Sequence, residues 1–160
     1  MENKLRDTDL SEHFTLEEAT ISQHIRAGHL NIPSPDTLET MRRTALKMEK
    51  VRYVLGNTPL IINSWYREPL INTLVGGSKS SQHVVGEAVD FIAPGFGSPY
   101  AICQRLVENA DLIRFDQLIY EYTWVHISFA ITSKRAPRGQ VLTITPAKKI
   151  YGGLVHSLNK

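Results

Sequence analysis

With 160 residues, the chain has room for one domain with a real hydrophobic core and little for a second. Its 42% hydrophobic and 21% charged composition is that of an ordinary soluble globular protein, and a net charge of +2 is too weak a basic bias to argue nucleic-acid binding. No apolar run approaches the length of a membrane span, and a single cysteine, Cys103, excludes an internal disulfide.

The opening Met1–Asp7 has no apolar core and does not read as a secretory signal. Thr15-Leu16-Glu17-Glu18 has the form of a capping box and predicts a short helix ending near Gly28. Ser34-Pro35 supplies a cap and a first-turn proline for a long helix. Leu38, Met41, Ala45, Met48, Val51 and Leu55 form its apolar stripe, and Gly56 stops it. Pro59 to Ser64 reads as a buried strand, and Glu68 to Gln82 as a polar, Gly/Ser-rich loop. Ala88 to Ala93 predicts a second strand, and Ser98-Pro99 opens a helix with Ile102, Leu106 and Ala110 inward. Gln117 to Glu121 and Trp124 to Ala130 read as strands joined at Tyr122-Thr123, with a further strand over Val141 to Thr145. Residues 146–160 read as a loosely packed tail, which leaves 1–145 as the folded domain. Helices first and between, with strands gathered later, make α+β the expected class.

The chemistry concentrates in Ser81-Gln82-His83-Val84-Val85-Gly86-Glu87-Ala88-Val89-Asp90, answered by Trp124-Val125-His126. Two imidazoles and one carboxylate make a three-ligand set for a catalytic zinc, which leaves a fourth position for water. Gly86 lets the chain turn between His83 and Asp90, and Ala88 leaves room beside a metal. Other chemistries fit poorly. Gly76-Gly77-Ser78-Lys79-Ser80 lacks the spacing of a phosphate-binding loop, and there is no Gly-x-Ser-x-Gly elbow. Cys103 falls among apolar helix residues and reads as a structural thiol. His13, His24, His29 and His156 have no partner pattern and read as surface residues.

These motifs resemble the zinc D-alanyl-D-alanine carboxypeptidase and L-alanyl-D-glutamate endopeptidase family, in particular its short, single-domain, phage endolysin-like members. The pattern Ser-x-His-x-x-Gly-x-Ala-x-Asp, followed by Trp-x-His, is met at Ser81, His83, Gly86, Ala88, Asp90, Trp124 and His126. Phe14 to Glu18, Ser64 to Arg67 and Val75 to Ser78 also look like that group, so the resemblance runs over roughly residues 14 to 130. It implies a small antiparallel sheet carrying the zinc site, packed with helices in a hedgehog/DD-peptidase-like fold. It further implies His83, Asp90 and His126 as ligands of Zn2+, and a monomer acting on the peptidoglycan stem peptide without membrane insertion. A wall-cutting enzyme without an export signal would leave the cytoplasm through a holin pore or on a virion.

Glu121 is the candidate general base, and Arg67, placed like the family arginine that faces the reacting carbonyl, the candidate oxyanion partner. Ser81, Tyr66 and Trp124 are candidates for binding substrate. One departure stands out: classical members often place the acid three residues before the last histidine, and that position here is Thr123. In one regular strand, Glu121 and His126 would point to opposite faces. A tight turn at Tyr122-Thr123 is needed to bring them together; Glu87 and Asp116 are weaker rivals for the base. Two rival readings remain: a carboxypeptidase rather than an endopeptidase, and a non-catalytic zinc-containing or wall-binding virion module.

Overall fold

The computed structural model describes residues 8–21 and 30–156. Near the start, β1 (Asp9–Ser11) and β2 (Phe14–Thr15) form a small antiparallel ribbon that leads into α1 (Leu16–Thr20). Thr15 caps α1 by accepting from the Glu18 N–H at 3.2 Å, as the capping pattern predicts. The expectation that this helix runs to near Gly28 is not met: α1 ends at Thr20, where Ile21 turns extended (φ −62°, ψ 132°). Residues 22–29, with His24 and His29, lie outside the described residues.

The long helix is α2 (Pro35–Val54), with Ser34 Oγ accepting from Thr37 N–H and Pro35 in the first turn. Gly56 follows with φ +73°, the left-handed geometry that ends helices and that glycine adopts without strain. Along its inner face Met41, Ala45, Met48 and Val51 are fully buried.

The sheet is built from β3 (Ile61–Ser64), β4 (Ala88–Ile92), β5 (Gln117–Tyr120), β6 (Val125–Ser128), β7 (Gln140–Ile144) and β8 (Ile150–Gly152). Their spatial order is β3-β4-β6-β5-β7-β8, antiparallel except for the parallel pair β5 and β7. Helix α3 (Pro69–Leu74) follows β3, and α4 (Pro99–Glu108) and α5 (Ala110–Ile113) follow β4. The class is α+β.

Strand periodicity sorts the side chains to two faces. Val89, Ile127 and Leu118 lie abreast on β4, β6 and β5, as do Phe91, Val125 and Tyr120. These six are buried, and together with α2 and with Ile102, Cys103 and Leu106 of α4 they make the core. Truncating a side chain buried this completely typically costs ~2–5 kcal/mol. The alternate row, Asp90, His126 and Ile119, faces the other way and floors a cleft.

Four further expectations need correction. Strand β3 is an edge strand with Ile61 half exposed, because only β4 pairs with it. The stretch from Glu68 to Gln82 is not all loop: Glu68 caps α3, accepting from the Leu70 and Ile71 N–H groups, and Pro69 starts it. The main sheet is mixed, since the chain crosses over after β6 to lay β7 parallel beside β5. Finally, the fold does not stop at residue 145. Strand β8 pairs with β7, and His156 packs on the Tyr100 ring at 4.1 Å, so the segment has both backbone and side-chain partners.

Candidate metal centre

His83, Asp90 and His126 reach one point from three different places in the fold. Asp90 and His126 are register partners on β4 and β6, which sets their side chains adjacent on the cleft face. His83 comes from the turn before β4. There the Gly86 N–H donates to the His83 carbonyl at 3.2 Å, Gly86 takes φ +77°, and its own carbonyl accepts from Thr44 Oγ1 and Trp65 Nε1. The outcome is three candidate ligand atoms within 4.8 Å of one another.

The protonation pattern suits a cation. His83 Nδ1 lies 2.7 Å from the Trp65 carbonyl, an acceptor only, so Nδ1 carries the proton and Nε2 presents a lone pair. That Nε2 is buried, has no hydrogen-bond partner, and sits 3.3 Å from Asp90 Oδ2, itself an acceptor. Two lone pairs facing each other without a proton between them want a positive charge. Second-sphere bonding of a ligating histidine to a backbone carbonyl is the usual way such a ring is oriented. Asp90 Oδ1 meets His126 Nδ1 at 2.8 Å. Burial on its own would raise the Asp90 pKa; charge and hydrogen bonding from His83 and His126 in their protonated forms outweigh that and hold it well below the usual carboxylate range. His83 is shifted down by burial, so its neutral, ligating form is favoured.

Glu121 joins this cleft through the hairpin. Tyr120 opposes Val125, so one step further Glu121 opposes Trp124, whose carbonyl accepts the Glu121 N–H at 3.1 Å. Between them Tyr122, at φ +63°, is spanned by a bond from the Thr123 N–H to the Glu121 carbonyl at 2.7 Å, a γ-turn. Facing residues in an antiparallel pair share a face. Ile119, Glu121, Trp124 and His126 therefore all point into the cleft, and the five-residue separation is no obstacle. Burial and the Asp90 carboxylate raise the Glu121 pKa, while His126, Lys148 and the Trp124 indole, which makes no hydrogen bond of normal geometry, pull it down.

Arg67 also lines the cleft. Its backbone N–H donates to the His83 carbonyl at 3.1 Å, its Nε is buried without a partner, and burial lowers its pKa against Asp90 and Glu121. At physiological pH a guanidinium remains charged. Ser81 stands at the rim with Oγ accepting from the His83 N–H at 3.3 Å, so it braces the backbone of His83 rather than its ring. Trp124 is a wall of the cleft. Tyr66 is not: its ring is in the core and takes no part in lining the cleft, which removes the expected contact with substrate.

The two rivals for the base are committed elsewhere. Glu87 is buried and accepts from the Thr132 N–H at 2.6 Å, from Thr132 Oγ1 and from Gln82 Nε2, tying the turn before β4 to the segment after β6. Asp116 has no exposed surface and is held by Arg135 and Arg138. Those two arginines, with Gln117 and Lys148, line the same cleft of about 690 Å³, and nothing in the sequence singled them out. The signal was there only in part: an aspartate directly before an apolar strand needs cations, but which cations depends on the crossover to β7.

Comparison with known proteins gives the family. The family model of the M15 peptidases matches residues 12–128, and the chain belongs to that family. Among individual proteins, a zinc D-Ala-D-Ala carboxypeptidase of Streptomyces albus G is 33% identical over 54 residues, which is 34% of this chain and 21% of that relative. The chain thus matches only about a fifth of the relative's length.

Proposed function

We propose that the protein is a zinc metallopeptidase that hydrolyses a peptide bond in the stem peptide of bacterial peptidoglycan, serving as a phage lysis enzyme that reaches the wall through a holin pore or on the virion. The observation that carries this reading is the convergence of His83, Asp90 and His126 within 4.8 Å, in a cleft that also holds Arg67 and Glu121. His83, Asp90 and His126 would hold zinc, which would supply Lewis-acid polarisation of the scissile carbonyl and acidification of the attacking water.

The protein's own groups do the rest. Glu121, its pKa raised by burial, takes the proton of the attacking water and returns it to the leaving amine. The Arg67 guanidinium binds the carbonyl oxygen and stabilises its growing negative charge, aided by the desolvation that leaves Nε without a protein partner. His83 keeps its ligating tautomer through the Trp65 carbonyl.

The name of the Streptomyces relative favours a second reading of the bond, removal of a terminal D-alanine rather than an internal cut. Both readings meet the same test. Purified peptidoglycan is incubated with zinc-loaded protein, and the soluble products are identified by mass spectrometry. Release of single alanine residues marks a carboxypeptidase and release of stem peptides an endopeptidase. Binding to the wall with no product of either kind would leave a wall-binding module and defeat the proposal.

A further inference from the structure

Asp116 is a buried carboxylate with more positive charge around it than it needs. It lies immediately before β5 and has no exposed surface. Five hydrogen bonds converge on it: from Arg135 Nη1 and Nη2 at 2.6 and 2.8 Å, from Arg138 Nε and Nη2 at 3.1 and 2.9 Å, and from the Arg138 backbone N–H at 2.9 Å. A carboxylate offers about four lone-pair sites, so Asp116 is saturated and has nothing left for substrate or proton. Its pKa is held far below the carboxylate range, by the Arg135 hydrogen bonds first, against burial, and by Arg138.

Two guanidiniums against one carboxylate leave a net charge of +1 on the cluster. Glu87 also holds the segment between β6 and β7, through the Thr132 N–H and hydroxyl. Both arginines line the cleft, with side chains 45% and 44% exposed, and Arg135 Nε and Arg138 Nη1 make no bond among the described residues. The clamp on Asp116 fixes the planes of both guanidiniums, so their outward N–H groups are held in place before any ligand arrives. Lys148 lines the same cleft and adds to the positive field.

Position along the strand sets the distance. Ile119 is the register partner of His126, and Asp116 precedes it by three residues, about 10 Å at ~3.3 Å per residue. Glu121 lies on the other side of that partner. Asp116, which clamps the two arginines, is therefore displaced from the His126 position along the strand direction by about the length of three extended residues, and the arginines themselves line the cleft.

We infer that Arg135 and Arg138, clamped by Asp116, form an anion subsite that binds a carboxylate on the peptide substrate, about two to three residues from the bond that is cut. This rests on the reading of the cleft as that of a wall peptidase, whose stem-peptide substrate is rich in carboxylates. Asp116 is a positioning residue; the arginines are the binding groups.

The test measures binding with turnover removed. Zinc-loaded Glu121→Gln protein is titrated calorimetrically with a synthetic stem pentapeptide, and with the same peptide in which every carboxylate is a primary amide. The acidic peptide should bind at least 10-fold more tightly. Adding Arg135→Gln or Arg138→Gln, one at a time so that Asp116 keeps a partner, should shrink that ratio to within about 2-fold. Arg138→Lys, which keeps the charge but not the fork, should recover only part of it. Equal binding of the two peptides by protein with both arginines intact overturns the inference without any further variant, and so does a ratio that survives both glutamine changes. If the parent enzyme cuts peptidoglycan yet shows no preference, only the subsite fails. If it neither cuts peptidoglycan nor binds either peptide, the peptidase reading fails and takes the subsite with it.

Discussion

Replacing Asp116 by asparagine keeps its shape and removes the charge on which two arginines converge. The amide can still accept through its oxygen, but its nitrogen now turns N–H groups toward guanidinium N–H groups. Removing one partner of a buried ion pair typically costs ~3–5 kcal/mol. Here Arg135 and Arg138 are 45% and 44% exposed and can rehydrate, which argues for the lower part of that range or below it, ~2–3 kcal/mol. In a domain of this size, that corresponds to a fall in Tm of roughly 5–10 °C. The pH dependence follows from the direction of the shift. Asp116 titrates lower in the folded protein than in the unfolded chain, so its stabilisation is complete above the unfolded value and is lost as pH falls toward the folded one. Urea unfolding of the parent should therefore lose stability between about pH 5 and 2.5, and the asparagine variant should lose less over the same window. Equal midpoints at pH 7, or parallel losses on acidification, would refute the account of Asp116 as a charged clamp.

Three other outcomes follow from the site and its supports. Glu121→Gln should retain zinc in elemental analysis and lose most turnover, and the acidic limb of the pH–rate profile should disappear from the activity that remains; turnover equal to the parent would exclude Glu121 as the base. Arg67→Ala should lower kcat by roughly 10²-fold or more, whereas a rise in KM alone would mean that Arg67 binds substrate and transition state equally. Gly86→Ala should destabilise by about 2–3 kcal/mol in denaturant titration, because alanine resists φ +77° and its Cβ would come within 2.5 Å of Met41 Cγ; an unchanged midpoint would show that α2 yields easily there.

What the sequence made legible was whatever depends on near neighbours. The caps and apolar stripe of α2 are local, and so is the turn from His83 to Asp90. The grouping of His83, Asp90 and His126 came from motif spacing, with Asp90 and His126 then meeting as register partners. Glu121 was harder, because counting along one strand gives the wrong face; counting across the two-residue hairpin gives the right one. Helix α3 was hidden among glycines and serines, although Pro69 with Leu70, Ile71 and Leu74 carried a helical signal. Arg135 and Arg138 resemble any solvated loop cations until a parallel crossover brings them to an aspartate some twenty residues earlier. Tyr66 failed for a related reason, since an aromatic next to a motif carries no label for the side of the sheet on which it will lie.

The place of β7 beside β5 also bears on how this domain can be cut and transplanted. The family match ends at residue 128, an inviting place to end a fusion. A chain trimmed there would bare the whole length of β5 as an open edge, with Leu118 and Tyr120 behind it, and would leave Asp116 charged, buried and alone. Open strand edges recruit other chains, so such a truncation is expected to precipitate rather than merely to lose activity. The transplantable unit runs through β8 to the packing of His156 on Tyr100, and a linker belongs only beyond that point.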